Sequence, residues 1–250
     1  MTEENYKYRT SPLFLRNQFK GKGKLQMPVI PKFQIQSDDF NDLLLIGFDK
    51  ISANDTEHFN RMVHFFLYDY KFERVWKKPN VDLEKLKCYR AVLSPDFSMY
   101  IEMAPVLQLY NTFRNRWCGA YFASKEIRVI PTVSWGDENT FEFCFDGIEK
   151  GSTVAVSTYM VSEHDNRQDQ KEFFLKGLTR CFAGLNRKRL SAIIRRSPRC
   201  RAISYLSTMT AVHGSTWTKT HTYHPNTQNT SAERNPFRLE AISLSKADML

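Results

Sequence analysis

The sequence predicts an α/β fold built on a mostly parallel sheet of repeated βα units, and three observations carry that prediction. Apolar, β-rich runs recur along the chain, each followed by a stretch with helical spacing. The 250 residues are 42% hydrophobic and 14% aromatic, enough to bury a sizeable core. The pattern holds from about residue 31 to residue 176 and then stops. If the sheet curls, the same repeat makes an incomplete barrel-like fold.

Each element follows from its residues. Residues 1–30 form an aromatic and basic lead, in which Gly21-Lys22-Gly23-Lys24 lacks the spacing and the Ser/Thr of a phosphate loop and reads as a turn. LLLIGFDKI (43–51) is the first strand of the 31–176 domain. VHFFLYD (63–69) is a second strand by composition, although Phe59, Met62, Val63, Phe66, Leu67 and Tyr70 also fit a helical period. The stretch after Pro79, to Cys88, is helical, and RAVLSPDFSM (90–99) is a third strand. Pro105 suits the first turn of a helix whose apolar stripe is Val106, Leu109, Tyr110, Phe113, Trp117 and Ala120. IRVIPTVSW (127–135) is the fourth strand, with Pro131 pointing to an edge or a bulge. Asp137 to Thr140 cap a short helix that Gly147 ends, and STVAVSTYM (152–160) is the fifth strand. QDQKEFFLKG then opens a last helix.

The charge of +9 would ordinarily mark a nucleic-acid binder, but it is not evenly spread. Residues 176–250 hold 13 Lys and Arg against 3 Asp and Glu, a net +10, and residues 1–175 hold 23 against 24, a net −1. The tail is rich in Arg, Ser and Thr and lacks sustained period. Codons for KGLTRCFAGLNRKRLSAI can be chosen so that reading one nucleotide out of register yields an amphipathic helix, a Pro turn and a β-rich strand. Residues 177–250 are therefore expected to be an out-of-frame, mostly irregular tail created by one lost base after Lys176.

Several function classes find no support. No run of eighteen apolar residues and no signal-like N-terminus is present, so a cytoplasmic protein without membrane contact is expected. The five cysteines, Cys88, Cys118, Cys144, Cys181 and Cys200, are widely spaced with no C-x-x-C pair, which signals neither a disulfide framework nor a zinc site. His64 lies inside an apolar run and reads as a satisfied core histidine.

In α/β folds chemistry gathers at the carboxyl ends of the strands. Those ends offer Asp49, Asp69, Asp96 with Ser98, Trp135 with Asp137, and Ser157 with Tyr159. Asp49, Asp69, Asp96 and Asp137 are the candidate catalytic residues. If the ends converge, Asp49, Asp96 and Asp137 could hold a divalent cation, or the four could divide acid and base roles. The alternatives are structural: Asp137 as a helix cap, Asp96 as a turn cap, Asp69 paired with Lys71 or Arg74. Arg114, Arg116 and Trp117, with Trp135, Ser157 and Tyr159, are weaker candidates for binding phosphate or a base.

VHFFLYDYKFERVW, VLSPDFSMY, QLYNTFRNRWCGAYF, VIPTVSWGDENTFEFCFDGI and STVAVSTYM together resemble the bacterial and phage family catalogued as domain of unknown function 4417, over residues 25–176. The resemblance implies a protein of bacterial genomes, prophages, plasmids and other mobile elements, and carries over no catalytic residue. It implies a nucleic-acid- or host-factor-associated accessory protein. The alternatives are a barrel-like α/β enzyme using the strand-end carboxylates, and a replication-initiation-associated protein of a phage or plasmid. For the last, the body shows neither a His-hydrophobe-His metal motif nor a positioned nucleophilic tyrosine.

Overall fold

The lead begins with two short helices whose ends are capped by side chains. In α1 (Glu3–Arg9) the Thr2 hydroxyl accepts from the Asn5 amide, with Glu3 and Glu4 in the first turn and Lys7 and Arg9 in the last, each sign matched to the helix dipole. In α2 (Pro12–Leu15) Ser11 accepts from the Phe14 amide and Pro12 fills the first position. The left-handed Arg16 (φ 56°) ends α2. A hairpin follows, β1 (Gly21–Lys22) against β2 (Met27–Pro28), and Gly23 supplies the positive φ of 70° that its turn needs. This computed structural model describes residues 2–34, 36, 44–157, 173–174, 176–181, 189–195, 205–212 and 216–221.

Four parallel strands come next, in chain order: β3 (Leu45–Gly47), β4 (Met62–His64), β5 (Ala91–Leu93) and β6 (Val129–Ile130). Between β4 and β5 lie α3 (Arg74–Lys77) and α4 (Leu83–Lys87), and between β5 and β6 lies the 19-residue α5 (Pro105–Ala123). Alternate strand residues separate into two buried sets. Ile46, Val63, Val92 and Val129 join the helices through Val75, Leu86, Trp117 and Phe122. Met62, Ala91, Leu93, Ile130 and Ala155 pack on the other side with Phe33. Burial on both faces explains why the strands read as continuous apolar runs.

Pro131 sets the limit of this sheet. Its carbonyl accepts from the Ala155 amide, and the Val133 amide donates to the Ala155 carbonyl, but Pro131 has no N–H to continue the ladder. Contact with β7 (Val154–Ser157) is accordingly reduced to the bridge Thr132–Ala155. β7 pairs in parallel with β8 (Arg189–Arg195), which continues antiparallel into β9 (Tyr205–Val212) and β10 (Thr216–His221). Among the described residues nothing pairs β10 with β3, so the α/β sheet is open and the expected barrel-like curl does not reach closure.

Other expectations are adjusted. The helical alternative for 63–69 is not taken: the strand ends at His64, and Asp69–Lys71 is a 3₁₀ turn. The helix after Pro79 forms as α4. The boundary drawn at Lys176 is softer than composition suggests. Helix continues over 176–181, Leu178 and Cys181 pack with Val133 and Val156, and a Cβ on Gly177 would stand 2.2 Å from the Trp135 indole nitrogen. The tail expected to be irregular also carries β8 to β10, built on runs such as Leu190 to Ile194 that suit a strand. The rest of 182–250, with the reading frame proposed for it, lies outside the described residues.

Candidate functional site: the carboxyl rim of the sheet

Helix α5 positions the site, and it does so by reversing its expected amphipathicity. In its first half Gln108, Asn111 and Thr112 are buried while Val106 (70% exposed), Leu107 (50%) and Tyr110 (44%) face outward. The second half is buried nearly all round, Arg114, Asn115 and Arg116 included. The polar residues that enter the interior, Gln108, Asn111, Thr112 and Asn115, with Gly119 completing the row, recur at helical spacing. This row is the signal that a reading based on apolar residues alone passes over.

Each inward polar group finds a partner at the strand ends, as burial requires. Asp69, after β4, accepts from the Ser98 amide (3.2 Å) and hydroxyl (2.8 Å). The Ser98 carbonyl in turn accepts from Asn111 Nδ2 at 2.6 Å. Arg114 donates to both Glu73 carboxylate oxygens (3.1 and 2.8 Å) and twice to Asn111 Oδ1 (3.2 and 2.6 Å). Its guanidinium lies 3.9 Å from the Phe97 ring centroid and 3.9 Å from Asp69.

One step along the sheet, Asn115 Oδ1 accepts from Ser94 Oγ (2.9 Å), which itself accepts from the Thr132 amide (2.7 Å). Asn115 Nδ2 donates to the Pro95 carbonyl at 2.7 Å. Arg116, 2% exposed, donates to the carbonyls of Asp146, Thr132 and Cys144 at 2.8, 3.0 and 2.5 Å. Burial lowers its pKa to about 10, so it stays a cation at neutral pH. Burial pushes the neighbouring Cys144 thiol far up, which makes it inert. A narrow crevice with room for about one water (about 10 Å³) lies here between Phe97, Met99, Asn111, Asn115, Arg116 and Ser134.

The remaining candidates occupy separate places. Asp49 pairs with Lys71 at 2.9 Å; partial burial pushes its carboxyl up, but the Lys71 hydrogen bond outweighs this and the pKa falls. Asp96 accepts from the Ser134 hydroxyl. Asp137 caps the 3₁₀ turn Glu138–Glu142, accepting from the Asn139 amide at 3.1 Å, the role its sequence position allowed. Among the described residues no group of three or more His, Cys, Asp or Glu side chains is arranged to hold a metal ion, so Asp49, Asp96 and Asp137 do not form a cation cage.

Trp117 is fully buried, donates to Gln18 (3.2 Å) and packs against Tyr121; it belongs to the core. Trp135 donates to the Phe173 carbonyl at 3.2 Å and packs against Phe145 and Phe174. Ser157 ends β7 opposite Arg195, and Tyr159 lies outside the described residues. His64 is buried, and its Nδ1 accepts from the Phe66 amide at 3.2 Å. Residues not anticipated, Glu73, Asn111, Asn115 and Ser134, hold the rim together.

Around this network runs an apolar and aromatic margin. Tyr68 (60% exposed) and Tyr70 (76%) flank Asp69, their rings 5.9 Å apart and nearly parallel. Tyr100, tied to the helix by Gln108 Nε2 donating to its carbonyl at 2.7 Å, adds a third exposed ring beside Val106, Leu107 and Tyr110. Among the described residues no helix is long and apolar enough to cross a membrane.

The sequence is similar to two curated phage proteins. It is 48% identical to the Gene 1 protein of Mycobacterium phage L5 over 116 residues, 46% of this chain and 49% of that one. It is 48% identical to the Gene 1 protein of Mycobacterium phage D29 over 96 residues, 38% of this chain and 36% of the other. The chain thus spans about half, or about a third, of the length of these relatives. No solved structure gives a significant match. A family model matches residues 24–203, past the composition change at Lys176, and the chain belongs to that family, described as a domain of unknown function (DUF4417).

Proposed function

We propose that the protein is a phage accessory protein that works by docking a host or phage protein on the carboxyl rim of its sheet. The carrying observation is the reversal in α5. Burying Gln108, Asn111 and Thr112 while exposing Val106, Leu107 and Tyr110 costs solvation, and the outward residues join Tyr68, Tyr70 and Tyr100 around one network. Tyrosine-rich apolar margins with satisfied polar centres suit a protein partner.

Two other readings have less support. The cations nearest the rim are committed, Arg114 to Glu73 and Lys71 to Asp49, so a phosphate backbone would find little free charge there. Asp49, Asp69, Asp96 and Asp137 each hold a separate partner, which supports structural roles over shared acid–base chemistry.

Photo-crosslinking in host cells tests the proposal. A photoreactive amino acid placed at Tyr70 or Leu107 should trap a discrete partner, and placed at Val81, also exposed, should not. Leu107→Lys should abolish the adduct formed from position 70. Adducts equally frequent at Val81, or unaffected by Leu107→Lys, would sink the rim as an interface.

A further inference from the structure

Beyond the rim, the N-terminal lead has a composition and placement that the docking function leaves unexplained. Residues 1–25 carry six Lys and Arg against two Glu, a net +4, whereas residues 26–175 carry 17 against 22, a net −5. Within the first 175 residues the net positive charge is therefore confined to one short segment.

That segment is fastened to the helix layer by a defined set of side chains. The Arg16 guanidinium lies between two indoles, 4.1 Å from the Trp76 ring centroid and 4.0 Å from that of Trp117, and donates to the Trp76 carbonyl at 2.7 Å. Phe19 meets Trp117 edge-on at 5.9 Å, Leu13 packs on the same core, and Gln18 accepts from the Trp117 indole. What is left over faces solvent. Tyr6 is 62% exposed, Tyr8 65% and Phe14 51%, with the Tyr8 and Phe14 rings 5.3 Å apart and inclined at 53°. Lys20, Lys22 and Lys24 are exposed on and around the β1–β2 hairpin and have no ion-pair partner among the described residues.

We infer that residues 2–25 form a platform for single-stranded nucleic acid, with Tyr6, Tyr8 and Phe14 stacking unpaired bases and Lys20, Lys22 and Lys24 holding the phosphates. Exposed rings and, a few residues along the same anchored segment, lysines without an ion-pair partner are the two components sequence-tolerant single-strand binding needs: a π-face for the base and a cation for the backbone. Duplex bases are stacked on each other and offer these rings nothing, so the single strand is selected. The six residue steps from Phe14 to Lys20 span at most about 20 Å, a reach of a few nucleotides. The segment is anchored before the ligand arrives, which lowers the ordering cost of binding.

The test uses the full chain with 12-nucleotide DNA and RNA strands carrying a photoreactive bromopyrimidine, followed by mapping of cross-linked peptides. Cross-links are expected on the peptides containing Tyr6, Tyr8 or Phe14. The combined variant Lys20→Gln, Lys22→Gln, Lys24→Gln should reduce the slope of log affinity against log salt by about 2, since each phosphate contact on a single strand contributes about 0.7. Comparing DNA with RNA tells which strand is the natural ligand. Cross-links confined to residues 176–250, an unchanged salt slope, equal competition by duplex, or capture by anionic phosphatidylglycerol vesicles without cross-links to the strands would each overturn the inference. These lead variants leave the rim intact, so adducts at positions 70 and 107 fail or succeed independently.

Discussion

Replacing Arg114 by methionine separates a structural from a ligand-binding role for the most connected side chain of the rim. Methionine keeps the unbranched stem over Phe97 and removes the guanidinium. Four hydrogen bonds go with it, two to Glu73 and two to Asn111. Bonds to charged groups each contribute about 1.5–3 kcal/mol when buried, but Glu73 remains 27% exposed and recovers water as Arg114 leaves. Taking the low end for the ion pair, and adding the stranded Asn111 carbonyl, gives a loss of about 3 kcal/mol. For a domain of this size that corresponds to a fall in Tm of about 6–12 °C, measurable by circular dichroism. A double-mutant cycle with Glu73→Gln should return a coupling of about 1–2 kcal/mol. A Tm within about 1 °C of the parent would refute the reasoning and return Arg114 to the pool of ligand-binding residues.

Two further outcomes test the packing and the electrostatics. Gly119→Ala places a methyl 2.4 Å from Ile30 Cδ1 and 3.1 Å from Ser94 Cβ, so it should destabilise by about 1–3 kcal/mol despite alanine's better helix propensity, and Ile30→Val should recover part of the loss in thermal melts. If Gly119→Ala raises the Tm, the close approach of α5 to Ile30 is wrong. Burial pushes the Asp55 carboxyl up, but hydrogen bonds from Tyr89 Oη and from the His58 and Glu57 amides outweigh it and pull the pKa down to about 2. Because the folded value is depressed, this stabilisation is complete above the unfolded value of about 3.9 and is lost as pH falls toward 2. Denaturant melts between pH 5 and pH 2 should show that loss, and Asp55→Asn should flatten it; an equal slope in both proteins would contradict the assignment.

What the sequence made legible follows from which forces act locally. The parallel strands were readable because burial on both faces leaves apolar runs that no partner choice alters, as in Ala91-Val92-Leu93. The cap at Asp137 was readable because its bond reaches only two residues ahead. The rim was not, because its bonds join residues far apart in sequence: Arg114 to Glu73, Asn115 to Ser94, Arg116 to Cys144. Arg114 and Arg116, weaker candidates in the sequence for binding phosphate or a base, are interior struts. The strand-end carboxylates fall at equivalent places in the repeat, yet each is held by a different neighbour, which periodicity alone does not show.

The distribution of charge reverses the usual inference from a basic chain. Net charge of +9 pointed to nucleic acid, subtraction of residues 176–250 removed that pointer, and what remains is a net +4 confined to residues 1–25. A cation contributes to polyanion binding only if it is not already neutralised, and Arg114, Lys71 and Arg74 are each paired with a carboxylate. Lys20, Lys22 and Lys24 have no ion-pair partner among the described residues, although the Asp146 carboxylate lies against the turn at Gly23, and the lead that carries them is tied down through Arg16, Leu13, Gln18 and Phe19. Burial and pairing, not the count of basic residues, thus decide which charges remain open to a partner: the rim has its charges paired and its tyrosines outward, which is why a protein is proposed there, and the lead keeps unpaired lysines, which is why a single strand is proposed there.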